Sequence, residues 1–201
     1  MAPRNNSANR PPFSTGVLNV DKAAGETSFA VVSRLRRLTG AHRVGHAGTL
    51  DPLATGVLPI LFESATRLAE FALRLPKTYV ADVHLGFTTA TDDAEAELEP
   101  VGDPSRLIAD DVLEALAAFS GRIMQEPPAF SAVKVDGQRA YKLARRGDEP
   151  RPKAREVEVY ESRLLDFTPG PNAVARVEVR CGSGTYLRSI ARDLGLPESN
   201  A

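Results

Sequence analysis

The chain has one cysteine and three histidines in 201 residues, and both shortages narrow what it can do. Cys181 has no partner for an internal disulfide, and its place in an alternating pattern reads as a small buried hydrophobe. His42 and His46 stand four apart, but with only His84 besides and no cysteine cluster they fall short of a ligand set, so no metal is expected. No apolar run approaches the roughly 20 residues a helix needs to cross a bilayer, and nothing resembles a secretory leader. A cytoplasmic protein is expected. A Gly-x-x-x-x-Gly-Lys-Ser/Thr phosphate loop and a Gly-x-Ser-x-Gly elbow are both missing, which removes the commonest nucleotide-hydrolase and serine-hydrolase readings. Residues 1–13, polar and Pro-rich, read as a disordered arm, and residues 14–201 suffice for one domain with a full core.

Charge of either sign is in no overall excess, at a formal net of -1, yet it is unevenly placed. Residues 1–50 carry Arg4, Arg10, Lys22, Arg34, Arg36, Arg37 and Arg43 against Asp21 and Glu26. Residues 134–155 carry Lys134, Arg139, Lys142, Arg145, Arg146, Arg151, Lys153 and Arg155 against Asp136, Asp148 and Glu149. Two such regions suit the phosphates of a nucleic acid, although solvated surface charge accounts for them equally well. The acidic cluster Asp92, Asp93, Glu95, Glu97 and Glu99 lies in a stretch of low hydrophobicity and reads as solvated surface rather than a glycosidase pair or a cation site.

Periodicity predicts a strand over 16–20 and a helix over 27–38, capped near Thr27, closed by Gly40 and burying Phe29, Val32, Leu35 and Leu38. A buried strand follows over 57–62, a helix over 64–73, and a strand over 78–86 with Tyr79 on its apolar side. Next come a helix over 110–119 with an Asp cap, a strand over 129–135 entering an Asp136-Gly137 hairpin turn, and a mobile basic loop over 145–155. Strands over 157–166 and 173–181 precede a helix over 185–194 that turns Leu187, Ile190, Ala191 and Leu194 inward and ends at Gly195. Strands and helices mixed without a βαβ repeat indicate an α+β fold.

The most specific stretch is Gly45-His46-Ala47-Gly48-Thr49-Leu50-Asp51-Pro52-Leu53-Ala54-Thr55-Gly56. Gly45, Gly48 and Gly56 admit positive φ and close approach, while Pro52 biases Asp51 away from helix; the buried strand behind them would anchor the loop. That arrangement presents a carboxylate to a ligand, whereas an Asp-Pro pair alone only starts a turn. A carboxylate nucleophile must stay ionised although partly dry, and a guanidinium within hydrogen-bond range keeps it so. Arg188, near the start of the last helix, is the candidate partner unless it is a surface residue. Tyr79 offers a flat face for stacking and a hydroxyl able to relay a proton, or is an ordinary core Tyr.

Four segments, in order, resemble the TruB family of tRNA pseudouridine synthases: Leu18–Ser28, the Asp51 loop, Leu75-Pro76-Lys77-Thr78-Tyr79, and Cys181–Leu194. In the first, Ala23 stands where the family usually has Pro. Residues 127–146 resemble a further family signature. The resemblance implies a pseudouridine synthase fold, a mixed, mainly antiparallel sheet flanked by helices. It also implies isomerisation of uridine 55 in the T-arm loop of tRNA by base flipping, without a cofactor, in an enzyme that is a monomer when complete. Asp51 would attack, at C6 of the base or at the ribose, Arg188 would pair with it, and Tyr79 would lie against the base. His46 would fill the place of the flipped nucleotide. Lys22, Lys134 and Tyr186 would contact substrate, and Arg139, Arg145, Arg146, Arg151 and Lys153, in an RNA-gripping region over 127–155, would contact the RNA backbone. Relatives continue beyond the equivalent of Ala201, so residues 14–201 are expected to be a catalytic domain incomplete at its C-terminus. The alternatives are an RNA-binding or tRNA-folding protein impaired in catalysis and, less well matched in layout, a guide-RNA-dependent dyskerin-type enzyme.

Overall fold

A computed structural model describes residues 14–195; the expected arm over 1–13 lies outside them. The chain divides into two compact units with the boundary between Leu75 and Pro76.

In the first unit, β1 (Gly16–Lys22), β2 (Val44–His46) and β3 (Gly56–Phe62) form an antiparallel sheet in the order β1-β3-β2. Both faces of β3 are covered from Leu58 to Phe62, as its apolar run requires, while Val57 at its start is exposed. Leu58, Ile60 and Phe62 pack with Val31 and Val32 of α1 (Ser28–Thr39), whereas Leu61 packs with Ala47 and Ala65. Full burial of a Leu, Ile or Phe side chain stabilises by about 1.5–3 kcal/mol, so β3 is the unit's main anchor. Helix α1 begins where expected, with Thr27 Oγ1 accepting from the Ala30 amide at 3.1 Å, and ends at Gly40 with φ 70°. The buried stripe differs from expectation: it runs through Ser28, Val31, Val32 and Leu35, leaving Phe29 70% and Leu38 63% exposed. The two stripes share Val32 and Leu35, and the choice falls to the one whose Ser28 can bond the loop opposite. The predicted second helix is a 3-10 stretch, Glu63–Leu68, followed by α2 (Ala69–Arg74).

In the second unit, β4 (Lys77–His84), β7 (Gly121–Gln125), β10 (Arg155–Thr168) and β11 (Val174–Cys181) form an antiparallel sheet in the order β4-β11-β10-β7. Ala175, Val177, Val179 and Cys181 alternate along β11 into a core shared with Val112 and Leu116 of α3 (Ala109–Ala117) and Ile190 and Leu194 of α5 (Leu187–Gly195). Tyr79 and Leu187 pack on the edge of that core, as the phases predicted. Cys181 is buried in it, and desolvation raises its thiol pKa. A small ladder, β5 (Phe87–Thr88) with β6 (Glu99–Pro100), frames residues 89–98. The expected Asp cap of α3 works differently: Asp111, inside the helix, accepts from the Ile108 amide at 2.9 Å. Lys134–Val135 (β8) and Gln138–Arg139 (β9) make the hairpin, whose Asp136 and Gly137 both take positive φ, as a two-residue type I′ turn demands. The strand expected from residue 129 is limited to β8, because residues 127–131 are an irregular segment with Pro127, Pro128 and Ser131 buried. Helix α4 (Ala140–Ala144) leads to the basic loop, where Pro150 and Pro152 are buried tethers. The fold is α+β, and every strand pairing among the described residues is antiparallel. None of the described helices is long and apolar enough to cross a membrane.

Candidate active site

The Asp51 loop of the first unit is held by two buried polar side chains. Ser28, on the first turn of α1, accepts from the Leu50 amide and donates to the Leu50 carbonyl, both at 3.0 Å. Lys22, 1% exposed at the end of β1, donates to the carbonyls of Ala23 (2.9 Å), Glu26 (2.7 Å) and Pro52 (3.1 Å). The Pro52 carbonyl also accepts from the Gly25 amide at 2.8 Å. The residues on either side of Asp51 are thereby held through Leu50 and Pro52, and Asp51 itself is half-buried with its carbonyl accepting from the Ala54 amide at 3.1 Å. A buried ammonium is stable only when its donors are met, and three carbonyls meet the three donors of Lys22. Lys22 therefore ties the 23–26 turn to the Asp51 loop instead of presenting its charge to a ligand. Of the three glycines, Gly48 (φ 138°) and Gly56 (φ 111°) use left-handed backbone; Gly45 lies in β2 and does not. His46, half-buried on β2 opposite Ile60, has its Nδ1 buried without a hydrogen-bond partner among the described residues.

In the second unit the polar residues converge on α5. Gln125, 2% exposed at the end of β7, accepts from the Tyr186 amide at 2.8 Å and donates to the Tyr186 carbonyl at 3.1 Å, pinning the entry to the helix. Arg155 lies over the Tyr186 ring, 5.1 Å from its centroid, and donates to the Gly184 carbonyl at 2.6 Å. Arg188 is half-buried, its side chain 13% exposed. Its guanidinium donates to the carbonyls of Thr91 (2.9 Å) and Phe130 (3.1 Å) and lies 3.4 Å from Asp93 Oδ2. The surface reading of Arg188 is thus excluded.

The acidic cluster needs correction. Asp93 has 8% side-chain exposure beside Arg188, and Asp92 has 15% beside Arg192, at 3.1 Å; only Glu95, Glu97 and Glu99 are solvated. Low local hydrophobicity misled because the carboxylates are buried against arginines of a helix about 100 positions later, which no local window contains. Desolvation raises the pKa of Asp92 against the pull of Arg192. Sequence reasoning also assigned no role to Ser28, Gln125 or Ser189, whose hydroxyl donates to the Glu126 carbonyl at 2.8 Å. A serine one helical turn from a buried valine was the only available sign.

The proposed RNA contacts share one region of the second unit. Lys134 and Arg139 are exposed on β8 and β9, Arg139 also donating to the Ala132 carbonyl at 2.6 Å. Arg145 lies over Tyr141, 5.6 Å from its centroid, and Arg146, Arg151 and Lys153 are exposed. In the first unit Arg34 pairs with Glu26 at 2.7 Å and Arg36 donates to the Val44 carbonyl at 3.1 Å, so those two serve the fold.

Residues 36–187 match the family model described as TruB family pseudouridylate synthase (N terminal domain). The chain is 48% identical over 180 residues to tRNA pseudouridine synthase B of Acaryochloris marina, covering 90% of this chain and 62% of that protein. It is 52% identical over 181 residues to that of Ruegeria pomeroyi, covering 90% and 59%. Among solved structures, a Cbf5-Nop10-Gar1 complex matches with TM-score 0.66 and 32% identity, over 90% of this chain and 43% of that one. An H/ACA RNP bound to a substrate RNA containing 2′-deoxyuridine matches with TM-score 0.62 and 28% identity, over 90% and 42%. The chain thus spans about three-fifths of the length of its curated relatives.

Proposed function

Because the chain belongs to the TruB family of pseudouridylate synthases, we propose that it converts uridine to pseudouridine at position 55 in the T-arm loop of tRNA, with Asp51 as nucleophile. One observation carries this reading: the carboxylate stands on a loop whose backbone is fixed on both sides, by Ser28 at Leu50 and by Lys22 at Pro52. Such fixing is how a site holds a reacting group in productive geometry without reorganisation at the moment of reaction.

The reaction breaks N1–C1′, turns the base, and forms C5–C1′ with loss of the C5 proton. The ionised carboxylate adds to C6 of the base, or assists departure at the ribose by attack at C1′ or through a glycal; both routes use the same group. Either needs the base out of its stack, and His46, carrying a polar edge into a half-buried position, is assigned to the gap that flipping leaves. Tyr79 supplies a flat face for the base and a hydroxyl for proton relay. Arg188 is the guanidinium assigned to the nucleophile, and its own surroundings support a fixed rather than a solvated role. Tyr186 and Lys134 are assigned to substrate contact, and Arg139, Arg145, Arg146, Arg151 and Lys153 to phosphates, which position the RNA without reading its sequence. Lys22 acts through the loop.

The test is tritium release from [5-³H]uridine tRNA transcripts with uridine or cytidine at position 55, using this chain and the chain lengthened by the C-terminal segment of a relative. Release that needs uridine 55 is expected. Release independent of position 55 sinks the site assignment, and full retention of label by both proteins leaves RNA binding as the function.

A further inference from the structure

Arg188 and Arg192 are four apart on α5, so their side chains stand one turn apart on the same face. They meet carboxylates that are adjacent in sequence, Asp92 and Asp93. Adjacent side chains on extended backbone point to opposite sides. Asp92 takes left-handed backbone, φ 55°, and the turn delivers both carboxylates to one helix.

The two pairs are built differently. Asp93 Oδ1 accepts from Thr91 Oγ1 at 2.6 Å and from the Glu95 amide at 3.1 Å, while Oδ2 faces Arg188 at 3.4 Å. Arg192 reaches Asp92 Oδ2 at 3.1 Å, Asp193 Oδ1 at 2.8 Å and the Glu126 carbonyl at 3.2 Å. Two cations one turn apart compete for any carboxylate within reach. Asp93, adjacent in sequence to Asp92, is the carboxylate that Arg188 holds on that loop.

We propose that Asp92 and Arg192 are positioning residues for Arg188: by engaging each other they reserve Asp93 for Arg188, and so hold its guanidinium on the Thr91 and Phe130 carbonyls. This rests on the reading of Arg188 as part of the catalytic machinery. The pair touches no reacting atom. Its effect is on the rate of the chemical step, not on RNA affinity.

The test uses Asp92→Asn, which is nearly isosteric and tolerates left-handed backbone, Arg192→Gln, and Arg192→Lys as the charge-retaining control. Two readouts are taken. The ¹⁵N-arginine side-chain spectrum, with Arg188 signals identified by their loss in Arg188→Lys, reports guanidinium restriction without any turnover. Single-turnover tritium release and RNA dissociation constants report chemistry and binding separately. Asp92→Asn and Arg192→Gln should loosen the Arg188 signals and slow release on the order of tenfold to a hundredfold at unchanged RNA affinity; Arg192→Lys should restore much of both. Unchanged Arg188 signals in Asp92→Asn overturn the proposal, including when rate falls together with affinity or thermal stability, since that pattern marks a merely structural pair. If the unsubstituted chain releases no tritium, the isomerase reading of this chain fails, and the Arg188 signals alone decide the pairing.

Discussion

Lys22 shows how a buried charge can serve a site without entering it. Its ammonium is met by three backbone carbonyls, one of them adjoining Asp51. Lys22→Met keeps the stem and removes the donors, so the Ala23 and Glu26 carbonyls lose Lys22 and the Pro52 carbonyl keeps only the Gly25 amide. The expected cost is about 2–5 kcal/mol of unfolding free energy, read as a lowered denaturant midpoint with unchanged slope. A cost within about 0.5 kcal/mol, the level of ordinary surface changes, would refute the clamp. The family resemblance assigns Lys22 to substrate contact; its clamp on the loop was not legible, because a motif gives residue types and spacing while burial depends on the chain returning at Pro52. Asp51 was legible with its setting, since glycines and a proline act locally. Asp93 was illegible: its partner Arg188 is 95 positions away, and the residues around it are those of a solvated loop.

Helices and strands were legible wherever one periodicity dominated, as in β3, β11 and α5, and ambiguous where two stripes overlapped. Helix α1 is the clear case. Ser28 displaced Phe29 from the inner face because its hydroxyl satisfies both polar groups of Leu50, which apolar area alone does not weigh. The loop carrying Asp92 makes a pH prediction. Burial raises the pKa of Asp92, so the folded state binds its proton more tightly than the unfolded state does. Its contribution to stability is then present below the unfolded value of about 4 and lost as pH rises through the higher folded value. Asp92→Asn should therefore gain in melting temperature relative to the unsubstituted chain as pH rises from about 4 towards neutral. Asp82 provides the opposite sign, because its hydrogen bond and charge pairing with Arg176 lower its pKa; its contribution is present at neutral pH and lost on acidification. If Asp92→Asn instead loses ground as pH rises, the Asp92–Arg192 pair is a net stabiliser and burial does not dominate.

For the molecule as a whole, net charge says little and placement says more: the sum is -1, while seven exposed cations of the second unit lie within residues 134–153. If these meet phosphates, replacing Arg146 or Lys153 by Ala should weaken cognate and mutated T-arm RNAs about equally and reduce the slope of log affinity against log salt by roughly 0.7–0.9. A loss confined to the cognate arm would make them readers of sequence instead. The family was legible from the order of four short segments, and matching 90% of the chain to relatives at 48–52% identity agrees with that order. The central claim is that Asp51 does the chemistry, and its most direct test is single-turnover tritium release from [5-³H]uridine tRNA by the unsubstituted chain and by Asp51→Asn, in whichever length of protein turns over. The amide is almost isosteric but is no nucleophile, so release should vanish while RNA affinity stays within about twofold. Equal release by Asp51→Asn would contradict the account.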